Sequence, residues 1–128
     1  MNSSRHRQAG SAAVELALVL PLALFAALAL VQVGLLARDS LAVANSAREG
    51  AREAAVSTDD SRVREVALRG GNLADGRALV AVERSGGMGD PVSVTVLYRS
   101  PLVVPFVEWL FPDEVTLRST ATMRQETG

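Results

Sequence analysis

From Leu16 to Ala37 the sequence reads LALVLPLALFAALALVQVGLLA, 22 residues with no charge and one amide, Gln32. A helix of about 20 apolar residues spans the hydrocarbon core of a bilayer, so this run predicts a single transmembrane helix. It also limits everything else the chain can build. Of 128 residues, roughly 80–90 remain outside lipid, near the lower end of what folds alone. The apolar content of 48% is ordinary for a globular protein; its concentration in one block near the N-terminus is not.

The flanks orient the helix. Arg5, His6 and Arg7 precede the run, and Arg38 and Asp39 follow it with opposite charges. The positive-inside rule then keeps residues 1–10 in the cytoplasm and sends the C-terminal part across. The sequence divides accordingly into a basic cytoplasmic leader (1–10), a transmembrane helix (11–37) and an extracytoplasmic α+β domain (38–128), single-pass in the cell membrane. The competing reading is a cleaved signal peptide, with Ala27-Leu28-Ala29 as a small-x-small site. The apolar run continues past that site to Ala37, which a cleaved signal does not need. Pro21 lies inside the run and predicts a kink toward the cytoplasmic end.

Glu15 stands directly before the run. With a helix starting near Ser11 it lies in the second turn, at the edge of the lipid, where a carboxylate is costly and calls for a partner. One reading is an interfacial acid that snorkels to water and complements the helix N-terminus. The other is functional and comes from the surrounding order of residues. A short basic leader, Gly10, then Ser11-Ala12-Ala13-Val14-Glu15 and an apolar helix resemble the processing site of type IV pilin-like proteins. The resemblance implies a cut after Gly10 by a prepilin peptidase, a new N-terminal amine at Ser11, and Glu15 as the fifth residue of the mature chain. In a helical assembly that carboxylate would neutralise a neighbour's amine within lipid and fix axial register, because an unpaired buried charge disfavours other registers.

The likeness extends further. Ser11 to Glu15, the proline in Leu20-Pro21-Leu22, Gln32 and the stretch Ala47-Arg48-Glu49-Gly50-Ala51-Arg52 resemble the TadE-like family, small membrane proteins of tight-adherence (Flp) pilus systems. The family implies other pilin-like subunits and the pilus assembly platform as partners, and a pilin-like fold with one long helix, half in lipid and half packed on a sheet. Major Flp pilins carry a tyrosine directly after the glutamate and are very short. Here that position is Leu16 and a domain follows, which points to a minor pseudopilin or assembly factor. The alternative is a stably anchored extracytoplasmic binding module, unprocessed and outside any filament.

Beyond the membrane, Arg38–Val56 is alanine-rich and suits helix. Leu41, Ala44, Ala47, Ala51 and Ala54/Ala55 recur at spacings of three and four on one face, expected to pack on the chain's own sheet or on a second subunit. Gly50 marks a bend or a close contact. Ser61–Arg69 reads as a short helix capped by Asp60 or Ser61 and ended by Gly70-Gly71-Asn72. Ala78–Glu83, Val92–Tyr98 and Val115–Met123 read as strands, with Val92, Val94, Val96 and Tyr98 alternating with polar residues. Ser85–Pro91 is a glycine-rich hairpin loop between the first two. The expected fold is therefore α+β, a long N-terminal helix on a small antiparallel sheet. The link Pro101–Pro112 holds Phe106, Trp109 and Phe111; it is either a loop tucked over the sheet or an aromatic patch that meets a partner or the membrane surface.

Several chemistries have no residues to carry them. Cysteine is absent, so there are no disulfides, thiolate metal sites or cysteine nucleophiles. The one histidine, His6, lies in the leader, away from any outer-domain triad or metal site. Gly86-Gly87-Met88-Gly89 sits between strands and lacks the lysine of a phosphate loop. Asp59, Asp60 and Asp75 read as solvated loop acids. A net charge of −1 gives no basis for nucleic-acid binding. The sequence implies no enzyme, cofactor, metal or small-molecule substrate.

Overall fold

The computed structural model describes residues 3–103 and 114–127, with side chains from Gly10 onward. The element order is α1 (Ser3–Val56), α2 (Asp60–Gly71), a 3-10 turn (Asp75–Arg77), β1 (Ala78–Arg84), β2 (Pro91–Pro101) and β3 (Glu114–Arg124). The chain divides into two compact units, Met1–Gly34 and Leu35–Gly128. The long apolar helix followed by a three-stranded sheet is the expected α+β arrangement.

In the first unit most of the described apolar side chains are exposed. Leu16, Leu18, Leu20 and Leu22 are 59–73% exposed, and none of the apolar window is buried. Gln32 is the exception, a buried polar residue.

The second unit has a real core. β1, β2 and β3 form an antiparallel meander with β2 in the middle. Ala78 pairs with Tyr98 and Arg84 with Val92; Pro91 pairs with Arg124 and Pro101 with Glu114. Strand alternation turns Val92, Val94 and Val96 to one face, where they are fully buried against Val43, Ala47, Ala51 and Ala54 of α1 and Val63 of α2. Burying each such valine contributes about 1.5–3 kcal/mol. The α1 stripe is almost all small residues, which lets its backbone approach the sheet closely. The expected packing face is displaced by this stripe: Leu41 is 68% exposed, and Val43 and Ser46 take the buried positions. The period of 3.6 that joins Val43, Ala47, Gly50/Ala51 and Ala54 leaves Leu41 on the far side.

Glycines set how close the helices come. A Cβ on Gly50 would lie 2.9 Å from Ala67 Cβ and 3.0 Å from Val94 Cγ1, so Gly50 marks a close contact. A Cβ on Gly71 would lie 2.5 Å from the Ala42 carbonyl oxygen. Gly70 and Gly71 are the last two residues of α2, which is longer than expected, and Asn72 in the left-handed conformation ends it. The N-cap is Asp59, not Asp60 or Ser61: its carboxylate accepts from the backbone N–H groups of Ser61 and Arg62. The other two acids are paired as well as solvated, Asp60 with Arg84 and Asp75 with Arg64.

The three strands run slightly longer than the sequence suggests, and Pro91 and Pro101 are the end residues of β2, where a missing N–H costs least. The C-terminal residues finish the fold. Gln125 N–H donates to the Asp90 carbonyl at 2.8 Å, and Glu126 N–H donates to the Ala55 carbonyl at 2.7 Å. The tail thus satisfies a carbonyl in the last turn of α1 that no intrahelical donor reaches.

Candidate functional site

The residues singled out by sequence lie at the N-terminal end of α1. The helix starts at Ser3, eight residues before Ser11, because nothing in Ser3–Ala9 stops it and Gly10 is tolerated inside a helix. This corrects the placement of Glu15 in a second turn. Glu15 follows three full turns of α1, whose first turn has no acidic residue. Complementing the helix N-terminus is then not available to Glu15, since that effect fades within the first turn.

Gly10, Ser11 and Glu15 are all exposed. Ser11 and Glu15 are four apart in one helix, so they share a face. No described atom comes within 4 Å of where a Cβ on Gly10 would sit, so packing within the chain does not require glycine there. On both sides of Glu15 stand exposed Val14 and Leu16, 61% and 62% accessible. A carboxylate beside apolar surface needs water or a cation to pair with it. Pro21 is inside α1, and its missing N–H removes the intrahelical partner of the Ala17 carbonyl.

A second polar feature lies just past the apolar run. Ser100, buried near the end of β2, donates from Oγ to Asp39 Oδ2 at 2.5 Å. Sequence reasoning paired Asp39 only with its neighbour Arg38. The partners are 61 positions apart, and no local pattern announces such a contact. Phe106, Trp109 and Phe111 lie outside the described residues. Among the described residues no group of three or more His, Cys, Asp or Glu is arranged to hold a metal ion.

Residues 10–52 match the family model described as TadE-like protein. This segment, about a third of the chain, is similar to that family. The match runs from Gly10 through Ser11, Glu15, Pro21 and Gln32 to Arg52, and so takes in most of the stripe of α1 that packs on the sheet. The sheet itself, with α2, lies beyond it. No curated protein and no solved structure gives a match. The matched segment therefore covers both the apolar stretch long enough to cross a membrane and, further along, one side of the core of Leu35–Gly128.

Proposed function

We propose that this chain is a membrane-anchored minor pseudopilin or assembly protein of a tight-adherence, type IV-like pilus or secretion system. The observation that carries the reading is the TadE-like match over residues 10–52, a family that implies a part in tight-adherence pilus assembly. Its residues support the detail. The most apolar stretch of the helix has no buried residue, as a lipid-facing helix has none. The basic residues before it favour a cytoplasmic N-terminus and an extracytoplasmic C-terminal domain in the inner or plasma membrane.

In this proposal a prepilin peptidase cuts between Gly10 and Ser11, a bond on an exposed stretch of α1. The cut turns Ser11 into the helix N-terminus and gives it an α-amine. Glu15, one turn away, then accepts a charge-assisted hydrogen bond from the amine of an adjacent subunit. Side-by-side packing of apolar helices follows in the register this pair allows, and the outer domain meets other pilin-like subunits or the assembly platform. The role is structural and assigns no enzymatic step to the chain.

The test is the N-terminus of the protein recovered from membranes, by intact mass, in cells with and without prepilin peptidase. A peptidase-dependent start at Ser11 is expected. A start at Met1 or Asn2 in both strains would remove the processing step and leave an anchored domain. A start just after Ala29 would mean a cleaved signal sequence and overturn the anchor.

A further inference from the structure

The sheet is fastened to α1 at a definite height. Asp39, which accepts the Ser100 hydroxyl bond, stands two residues past Ala37, the last residue of the apolar run. At 1.5 Å per residue that is about 3 Å along the helix. The opposite end of β2 is held further along the same helix: Asp90, just before the strand, accepts from Gln125 N–H, and the next residue, Glu126, donates to Ala55. β2 thus runs back along α1, with its Pro91 end near Ala55 and its Ser100 end near Asp39. All of these residues, and Leu35–Ala37 themselves, belong to the unit Leu35–Gly128. A polar interface of about 5–8 Å lies on each side of the hydrocarbon core, which is where Asp39 would stand with Ala37 at the edge of that core.

The open face of the sheet changes character in the same direction. Toward the hairpin it carries hydroxyls, with Ser93 bonded to Thr122 at 2.8 Å and Thr95 to Thr120 at 2.9 Å. Toward the Ser100 end a shallow groove is lined by Arg77, Leu79, Leu97, Arg99 and Thr116. Leu79 is 65% exposed. Of the acids there, Asp75 is held by Arg64 at 2.9 Å, and Glu114 is 3.8 Å from Arg99. The Arg77 side chain has no ion pair among the described residues.

We propose that the Ser100 end of the sheet lies against the phospholipid headgroups, with Arg77 and Arg99 binding lipid phosphates and Leu79 reaching toward the acyl boundary. The hydroxyl-bearing end faces water. Guanidinium pairs with phosphate through two parallel hydrogen bonds, and a leucine beside it is suited to the interface rather than to bulk water. The inference rests on the reading of α1 as a membrane anchor.

The absence of cysteine makes the test direct. Thr116 and Thr122 are exposed on the same face of β3, opposite Arg99 and Ser93. Six residues of strand separate them by about 20 Å. The full-length chain carrying Thr116→Cys or Thr122→Cys, labelled with a small fluorophore, is reconstituted in phosphatidylglycerol–phosphatidylcholine vesicles containing a headgroup-attached quencher. Several-fold stronger quenching is expected from position 116, and weaker quenching there once Arg77→Glu and Arg99→Glu are added. Equal quenching at both positions, in protein that floats with the vesicles, would overturn the apposition and leave the anchor intact. Unchanged quenching in the double arginine variant would overturn the phosphate contacts. Protein that does not float with the vesicles would overturn the anchor reading and this inference with it.

Discussion

The Ser46 hydroxyl donates to the main-chain carbonyl of Ala67 at 2.6 Å, a buried bond that crosses from α1 to α2. The Arg62–Glu53 ion pair at 2.6 Å is a second, more exposed polar link between the same helices. Ser46→Ala keeps the volume and removes the bond. The expected loss is about 1 kcal/mol, the net value of an ordinary internal hydrogen bond, because Ala67 retains its helical acceptor role. Thermal unfolding of the full chain in detergent should show a drop of a few degrees. An unchanged midpoint would mean that the bond only matches what water offers in the unfolded chain.

Gly71→Ala reverses a familiar sign. Alanine in place of glycine inside a helix normally gains up to about 1 kcal/mol. Here the new methyl would meet the Ala42 carbonyl oxygen at 2.5 Å and Ser46 Cβ at 2.8 Å, and a backbone oxygen cannot rotate aside. Overpacking of this kind costs about 1–3 kcal/mol, so Gly71→Ala should lower the midpoint despite the better helix former. Gly76→Ala, with nothing within 4 Å of its Cβ, is the control and should change the midpoint far less. If both variants behave alike, the close approach of α2 to α1 is wrong.

These two sites show where sequence reasoning reaches and where it stops. The apolar run, the Val92/Val94/Val96 alternation and the alanine stripe were legible because each follows a local period. Gly70 and Gly71 suggest the end of α2 because glycine after a helical stretch signals a stop as readily as a close approach. Leu41 fits the inner face by spacing because many positions in an alanine-rich segment satisfy a three-four spacing. Val43 settles the phase only once the sheet is present. Ser46 with Ala67, Asp39 with Ser100 and Glu126 with Ala55 were not legible at all, since pairings across 21, 61 and 71 positions leave no local trace. For Gly10, Ser11 and Glu15 the relation was reversed. Their order along the chain suggested a role, and the fold adds that they are exposed and unused by internal packing.

Asp59 links the α2 cap to pH. The Ser61 hydroxyl, then the backbone N–H groups of Ser61 and Arg62, hold its carboxyl below the ordinary value of 3.8. A carboxylate with a depressed folded pKa stabilises the fold fully above the unfolded value. That contribution is lost as pH falls from 3.8 through the lower folded value. Asp59→Asn keeps a good N-cap without a titrating group. It should leave the neutral midpoint nearly unchanged and flatten the acid limb of stability against pH. Asp59→Ala should lower the midpoint at neutral pH as well, by a few degrees. Parallel acid limbs in wild type and Asp59→Asn would place the titration on another carboxylate.

Glu15 tests the assembly reading without disturbing the fold. Its side chain is exposed on α1 and makes no ion pair among the described residues, so Glu15→Ala and Glu15→Gln should leave membrane insertion and peptidase cutting intact. What they remove is the partner for a neighbouring Ser11 amine. An uncompensated charge in lipid costs several kcal/mol, and each 1.4 kcal/mol is a factor of about ten. Both variants should therefore lower incorporation into the pilus machinery at least about tenfold, measured by co-purification with pilin-like subunits and by surface pili. Val14→Ala, an equally exposed neighbour without charge, should assemble normally. Normal assembly by Glu15→Gln would show that the charge does not set the register, and Glu15 would then be a solvated acid at the membrane edge.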